Sequence, residues 1–180
     1  MSEIATDGAV DAESGPAAGR PSIMSEIERV LIPELGEILI RRLRSIEDEP
    51  AYTRFGRALA QDDLRMRLAG PARWSSALVP RLFGFGGAAF AAFEGRGEIV
   101  GVGGIVGNEI SLIVRSDVKR HGLGRVLLEH VVGHALEHGF TELSGSVLAE
   151  NRPMLKLAKT VGFRATAFEG PLVSIRLCLP

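Results

Sequence analysis

Residues 109–125, Glu-Ile-Ser-Leu-Ile-Val-Arg-Ser-Asp-Val-Lys-Arg-His-Gly-Leu-Gly-Arg, constrain the fold of this chain more than any other stretch. Ile110 to Val114 is a short, largely apolar run rich in β-branched residues and predicts a buried strand. A polar break from Arg115 to Lys119 follows, and Lys119-Arg120-His121-Gly122-Leu123-Gly124-Arg125 opens a long helical pattern. A strand that feeds a basic, glycine-containing loop at a helix N-terminus is a ready anion site. The first helical N–H groups have no partner within the helix, and the helix dipole favours negative charge there. Gly122 and Gly124 let backbone approach a ligand closely, and Lys119, Arg120 and Arg125 add formal positive charge. The anion this predicts is a phosphate or pyrophosphate. A Walker A loop is excluded, since no Gly-x-x-x-x-Gly-Lys-Ser/Thr occurs. The dinucleotide fingerprint fails too, because Leu127 stands where its third glycine belongs. Taken alone, the two glycines suit a simple tight turn equally well.

The 180 residues, 46% apolar, suffice for one domain with a sizeable core. A net charge of -1 gives no global attraction to nucleic acid or an anionic membrane, so any basic site is local. The single cysteine, Cys178, excludes an internal disulfide framework and suits a reducing cytosol; it reads as a strand residue rather than a nucleophile. No apolar run reaches the length of a membrane span, and the acidic N-terminus lacks the basic start of a secretory signal. The expected location is cytoplasmic.

Residues 1–21 carry no periodic apolar pattern and predict a disordered tail, leaving 22–180 as one domain. Ile23, Ile27, Val30 and Leu31 at helical spacing predict a short amphipathic helix from Ser22 to Leu35, serving as a packing element or a homodimer contact. Ile38-Leu39-Ile40 predicts the first strand, within Gly36 to Leu43. Ser45 and Asp48 start a helix with Pro50 in its first turn and Tyr52, Phe55 and Leu59 on one face; a second short helix follows Gln61. Gly70 to Gly87 is a long irregular stretch carrying Trp74, the kind of loop that forms a flap or a surface insertion. Ala88 to Glu94 and Ile99 to Val106 flank Gly95-Arg96-Gly97 as a β-hairpin, and Gly107-Asn108 turns into the strand from Glu109. A helix from Gly122 to His138 and a strand from Leu143 to Leu148 make a right-handed βαβ unit with parallel strands. Asn151 to Val161 is the last helix, and Phe163–Phe168 with Leu172–Leu179 closes the sheet as an antiparallel pair. His130, His134 and His138 recur at i, i+4 and i+8, but no Cys or carboxylate completes a metal site, so no metal is expected.

Lys-x-x-Gly-x-Gly after an apolar strand, with Asn151 and then Gly162-Phe163 downstream, resembles the GNAT superfamily of acyl-CoA-dependent N-acyltransferases. The family loop usually starts with Arg or Gln, so Lys119 departs from it mildly. The resemblance spans roughly residues 36–178. Val-Arg-Ser-Asp-Val-Lys-x-x-Gly-Leu-Gly-Arg, followed by Leu-Ala-Glu-Asn-Arg-Pro-Met-Leu, is most similar to the acetyltransferase domain of bacterial Pat-type protein lysine acetyltransferases. It implies a mixed α/β fold: a central, mostly antiparallel sheet with helices on both faces. The implied co-substrate is acetyl-CoA, held by Leu112, Ile113, Val114, Lys119, Arg120, His121, Gly122, Leu123, Gly124, Arg125 and Asn151. Asn151 equally suits an N-cap. Arg152 and Lys156 read either as adenosine-phosphate contacts or as solvated helix charges. The helices from Asp48 to Leu68 would line the acceptor side, where Tyr52, Arg54, Phe55 and Arg57 face the substrate or form core and solvated surface.

Acyl transfer to an amine needs a base for the amine, donors for the oxyanion and a proton for the departing thiolate. Pat-type domains carry a glutamate at the position of Glu109, which the resemblance makes the base; the N–H groups of Leu112 to Val114 would be the oxyanion donors. Many family members place a tyrosine four residues before Gly-Phe as the acid. Here that residue is Ala158. The acceptor implied is a protein lysine. A small amine, attracted by Asp62, Asp63 and Glu94, and a non-catalytic acyl-CoA-binding sensor or partner-binding module are the alternatives.

Overall fold

The computed structural model describes residues 27–44, 47–79 and 87–180. The tail over 1–21, the first part of the helix expected from Ser22, the Ser45 start signal and residues 80–86 of the long loop lie outside the described residues. Eight strands form one sheet in the order β1-β2-β3-β4-β5-β6-β8-β7: β1 Ile27–Ile32, β2 Gly36–Arg42, β3 Ala88–Glu94, β4 Glu98–Val106, β5 Glu109–Val114, β6 Glu142–Leu148, β7 Arg164–Glu169 and β8 Leu172–Cys178. All neighbours are antiparallel except β5 and β6, which pair in parallel as the βαβ reading requires. Four α-helices are described: α1 Glu49–Ala58, α2 Gln61–Leu68, α3 Leu123–Glu137 and α4 Arg152–Val161.

The segment expected to be an N-terminal helix is instead β1. Its apolar residues fit helical spacing, but the edge of β2 offers six residues of antiparallel pairing. An isolated short helix has no comparable gain. A turn with Glu34 at φ 70 and Gly36 at φ 79 reverses the chain, and Val30 and Ile32 face inward while Ile27 and Leu31 stay exposed.

One face of the sheet packs on α1 and α2. Tyr52, Phe55, Leu59 and Leu64 meet Ala91, Phe93, Val102 and Ile113 there. On the opposite face α3 and α4 cover Ile110, Val114, Val147 and Ile175. Asp48, nearly buried ahead of α1, accepts from Arg41 at 2.5 and 2.8 Å and from the Arg44 N–H at 2.7 Å, tying β2 to α1. The Arg41 guanidinium holds the Asp48 carboxyl below the usual range. β4 lets α3 lie unusually close. A Cβ at Gly101 would stand 2.9 Å from Leu127 Cδ1, and one at Gly103 3.1 Å from Leu127 O. This close seating fixes the N-terminus of α3 against the C-terminal end of β5, where the anion loop lies.

Candidate active site

β5 and β6 share one register pair, Glu109 with Ser144, reinforced by the Ser144 N–H donating to Asn108 O at 2.8 Å. β5 is held over its length by β4, and β6 by β8, so the two strands splay apart towards their C-terminal ends. The splay opens a cavity of about 490 Å³ lined by β5, β6, α2, α4 and the loop before α3.

The direction of the β5 amides follows from its ladder. Arg115 donates its N–H to Val100 O at 2.9 Å, in line with the Gly101–Val114 register. Antiparallel pairs alternate, so the odd-numbered residues of β5 bond β4, and Leu112 and Val114 turn their N–H and C=O groups towards the gap. The Ile113 amide therefore belongs to the β4 ladder. Of the three expected backbone donors, Leu112 and Val114 face the cleft and Ile113 does not. Its side chain packs in the α1–α2 core.

At the mouth of the cleft, Gly122 caps α3 at φ 91, a left-handed conformation that disfavours side chains. Arg125 and Val126 donate their N–H groups to Gly122 O, at 3.0 and 3.2 Å. The amides of Leu123 and Gly124, in the first turn, point outward as an anion cradle. A Cβ at Gly124 would touch Leu157, Leu112 and Val114 at 3.4–3.7 Å, so its absence keeps the cleft wide. The cations are distributed differently from what the sequence implied. Lys119 pairs with Asp63, Arg125 donates to Glu129 at 2.7 Å, and His121 Nδ1 lies 2.8 Å from Glu34. Arg120, at φ 71 and exposed on the cleft, has no ion-pair partner among the described residues. It is the cation most available to a phosphate.

Two contacts from α2 span this mouth. The Asp63 side chain, 2% exposed, accepts from Lys119 Nζ, from Ser116 Oγ at 2.8 Å and from the Ala60 N–H at 3.3 Å, which joins α2 to the anion loop. Arg65 pairs with Glu150, beside Asn151 on the opposite lip. Arg115 donates to Asp117 at 2.6 Å and to Glu94 at 2.7 Å. That guanidinium keeps the Asp117 carboxyl low. Each polar residue of Val-Arg-Ser-Asp-Val-Lys thus braces the loop, and Lys119 does so while lining the cleft. Asp63 and Glu94, considered as lures for a cationic substrate, are already paired.

Glu109 stands where the splay closes. Leu143, Gly145 and Val147 of β6, and Val173 and Ile175 of β8, turn towards α3 and α4. Ser144, Ser146, Ser174 and Arg176 therefore face the other side, and with Glu109 and Thr166 they line a polar cavity of about 270 Å³. This second cavity shares Gly145, Ser146 and Ile175 with the first. The hydroxyl row was missed in the sequence, although the period-2 alternation of 143–147 and 173–176 carries the signal.

Asn151 lines the cleft and also caps α4, its Oδ1 accepting from the Met154 N–H at 3.2 Å. Arg152 and Lys156 do not line it, and Ala158 is buried behind Leu157. Tyr52 and Phe55 are core, and burial pushes the Tyr52 hydroxyl up; Arg54 donates to Glu98 at 3.1 Å. The acceptor-side helix that reaches the cleft is α2, not α1. The histidine stripe faces β1 and β3. The His130 ring nitrogens lie 2.8 Å from Val126 O and 2.9 Å from Glu28, and His134 meets the Phe90 ring edge-on at 5.5 Å. Among the described residues no group of three side chains is placed to hold a metal ion, and no helix is long and apolar enough to cross a membrane.

A splayed parallel pair with an anion cradle at one end and a carboxylate at the other defines a class, and comparison with known proteins gives the same class. Residues 41–163 match the model of the acetyltransferase (GNAT) family. The chain belongs to that family and is an acetyltransferase. Its structure is similar to the GNAT domain of S. lividans PAT, with a TM-score of 0.74 and 22% identity over 85% of this chain and 97% of that one. It is also similar to yncA, a putative acetyltransferase from Salmonella typhimurium with its cofactor acetyl-CoA (TM-score 0.58, 20% identity, 79% and 94% covered). A third neighbour is spermidine N-acetyltransferase from Vibrio cholerae in complex with CoA and spermine (TM-score 0.61, 12% identity, 78% and 95% covered).

Proposed function

We propose that this chain transfers the acetyl group of acetyl-CoA to a primary amine, with a protein lysine as acceptor and Glu109 as general base. Acetyl-CoA is the co-substrate. The cleft fits it: the outward amides at the start of α3 and Arg120 suit a pyrophosphate, and the backbone of Leu112 and Val114 offers a strand edge to the amide-containing pantetheine arm. The lysine assignment rests on the motif of residues 114–125 and 148–155, which resembles Pat-type domains.

The observation that carries the reading is the position of Glu109 at the closed end of the splay. Glu109 lines the polar cavity, which shares Gly145, Ser146 and Ile175 with the cleft, so a thioester lying along β5 and an amine entering the polar cavity would meet beside its carboxylate. The carboxylate takes the amine proton as nitrogen attacks the carbonyl carbon. The N–H groups facing the gap stabilise the oxyanion that develops. Removing a general base costs about 10²–10⁴-fold in rate. Glu109→Gln is therefore expected to lose kcat by about that factor while binding acetyl-CoA almost as tightly. The test is mass-spectrometric acetyl transfer to acyl-CoA synthetases, other proteins and small amines, with calorimetric acetyl-CoA binding on both variants. Transfer to small amines alone would refute the lysine acceptor, and an undiminished variant would refute the base.

A further inference from the structure

The donor cleft and the polar cavity meet at three residues, Gly145, Ser146 and Ile175. One of the three has a protic side chain. Ser146 is exposed, and its hydroxyl has no hydrogen-bond partner among the described residues, whereas its neighbour Ser144 donates to Asn108 O at 3.4 Å. It faces the same side of the sheet as Glu109. Ser144 is the register partner of Glu109, so Ser146 stands two residues, about 7 Å, further along β6. That displacement is towards the open end of the splay, between the carboxylate and an incoming thioester.

The reaction leaves a thiolate that needs a proton, and no tyrosine is available from α4, where Ala158 is 1% exposed and apolar. We infer that Ser146 is a further catalytic residue, a proton relay from Glu109 to the departing sulfur; the inference rests on the acetyl-transfer reading above. The amine nitrogen forms its bond to the carbonyl carbon and gives a proton to Glu109. As the intermediate collapses, the C–S bond breaks and its electron pair goes to sulfur. Ser146 gives its hydroxyl proton to that sulfur and takes the proton held by Glu109, directly or through one water. The products are the amide and the CoA thiol, with Glu109 ionised and Ser146 protonated again. The relay is needed because a serine hydroxyl is a far weaker acid than a thiol of pKa about 8.5, and cannot give up its proton unless it gains another in the same step.

A thiolate leaves tolerably well unaided, so the effect is smaller than that of the base. Ser146→Ala is expected to lower kcat about 10–100-fold, at and below the low end for acid–base groups. The KM for acetyl-CoA and the melting temperature stay at their wild-type values, and the solvent deuterium isotope effect on kcat changes. Ser146→Thr, which keeps the hydroxyl, restores most of the rate. A Ser146→Ala enzyme with wild-type kcat overturns the relay alone, as does a loss confined to KM. A wild type that binds acetyl-CoA yet acetylates no amine overturns the acetyl-transfer reading, and the relay with it.

Discussion

Asp63 lies between the helix that borders the cleft and the loop that forms its anion cradle, and Asp63→Asn tests that link with almost no change of shape. The carboxylate is 2% exposed and accepts from Lys119, Ser116 and the Ala60 N–H. Losing its charge-assisted bond with Lys119 removes about 1.5–3 kcal/mol, taken at the low end because half-exposed Lys119 regains water. The new amide also brings an N–H₂ into a site whose one possible acceptor is the Ser116 hydroxyl, and a buried donor left without an acceptor costs about 1–3 kcal/mol. Together they predict a loss of about 2–4 kcal/mol, which for a chain of this size lowers Tm by roughly 5–15 °C. Acetyl-CoA binding discriminates between two physical accounts. If the loop attracts phosphate by net charge, releasing Lys119 tightens binding. If backbone geometry governs, the unanchored loop binds more weakly, and we expect about a 10-fold rise in KM, or about 1.4 kcal/mol, with kcat little changed. Calorimetric unfolding and initial rates at varied acetyl-CoA measure both quantities. A variant with unchanged Tm, or with tighter acetyl-CoA binding, would refute the bracing role.

Two further expectations concern stability. Gly56 lies within α1, where alanine is the better helix former by up to about 1 kcal/mol. A Cβ there would fall 2.0 Å from Trp74 Cζ3, so Gly56→Ala must displace the indole and is expected to destabilise by about 1–2 kcal/mol net in urea titration; a stabilised variant would show that Trp74 does not pack on α1. His134 is pushed below 6.5 by burial first, then by His138 and Arg42, with Glu137 opposing. A depressed folded pKa means that the unfolded chain binds more protons, so stability is full above about pH 6.5 and falls as pH drops below it. His134→Gln should flatten this slope in melting curves taken from pH 7.5 to 5.5, and an unaltered slope would assign it elsewhere.

Much of the fold was legible because its signals are local. The apolar runs on either side of Gly95-Arg96-Gly97, the caps of α3 and α4, and the strand–loop–helix over 109–125 each arise from residues close in sequence. β1 was not legible, since Ile27, Val30 and Leu31 suit a helix until the edge of β2 is present to pair with them. The polar face beside Glu109 escaped notice for a related reason. Ser144, Ser146 and Ser174 are ordinary residues until β6 and β8 lie side by side in register.

By itself the sequence determined the element types after β1, the parallel unit and the left-handed turn at Gly122 that opens α3, all set by short-range periodicity and the φ demanded at Gly122. Only the tertiary structure decided which charges remain available there. Asp63 meets Lys119 from 56 residues away, and Glu129 takes Arg125, so of the loop's three cations lining the cleft Arg120 alone has no ion-pair partner among the described residues. It also decided that Leu112 and Val114, not Ile113, turn their amides to the gap, because that choice follows from the register with β4. The meeting of the donor cleft and the polar cavity beside Glu109 has the same origin. Two strands far apart in the chain pair at one point, and their other neighbours draw them apart beyond it.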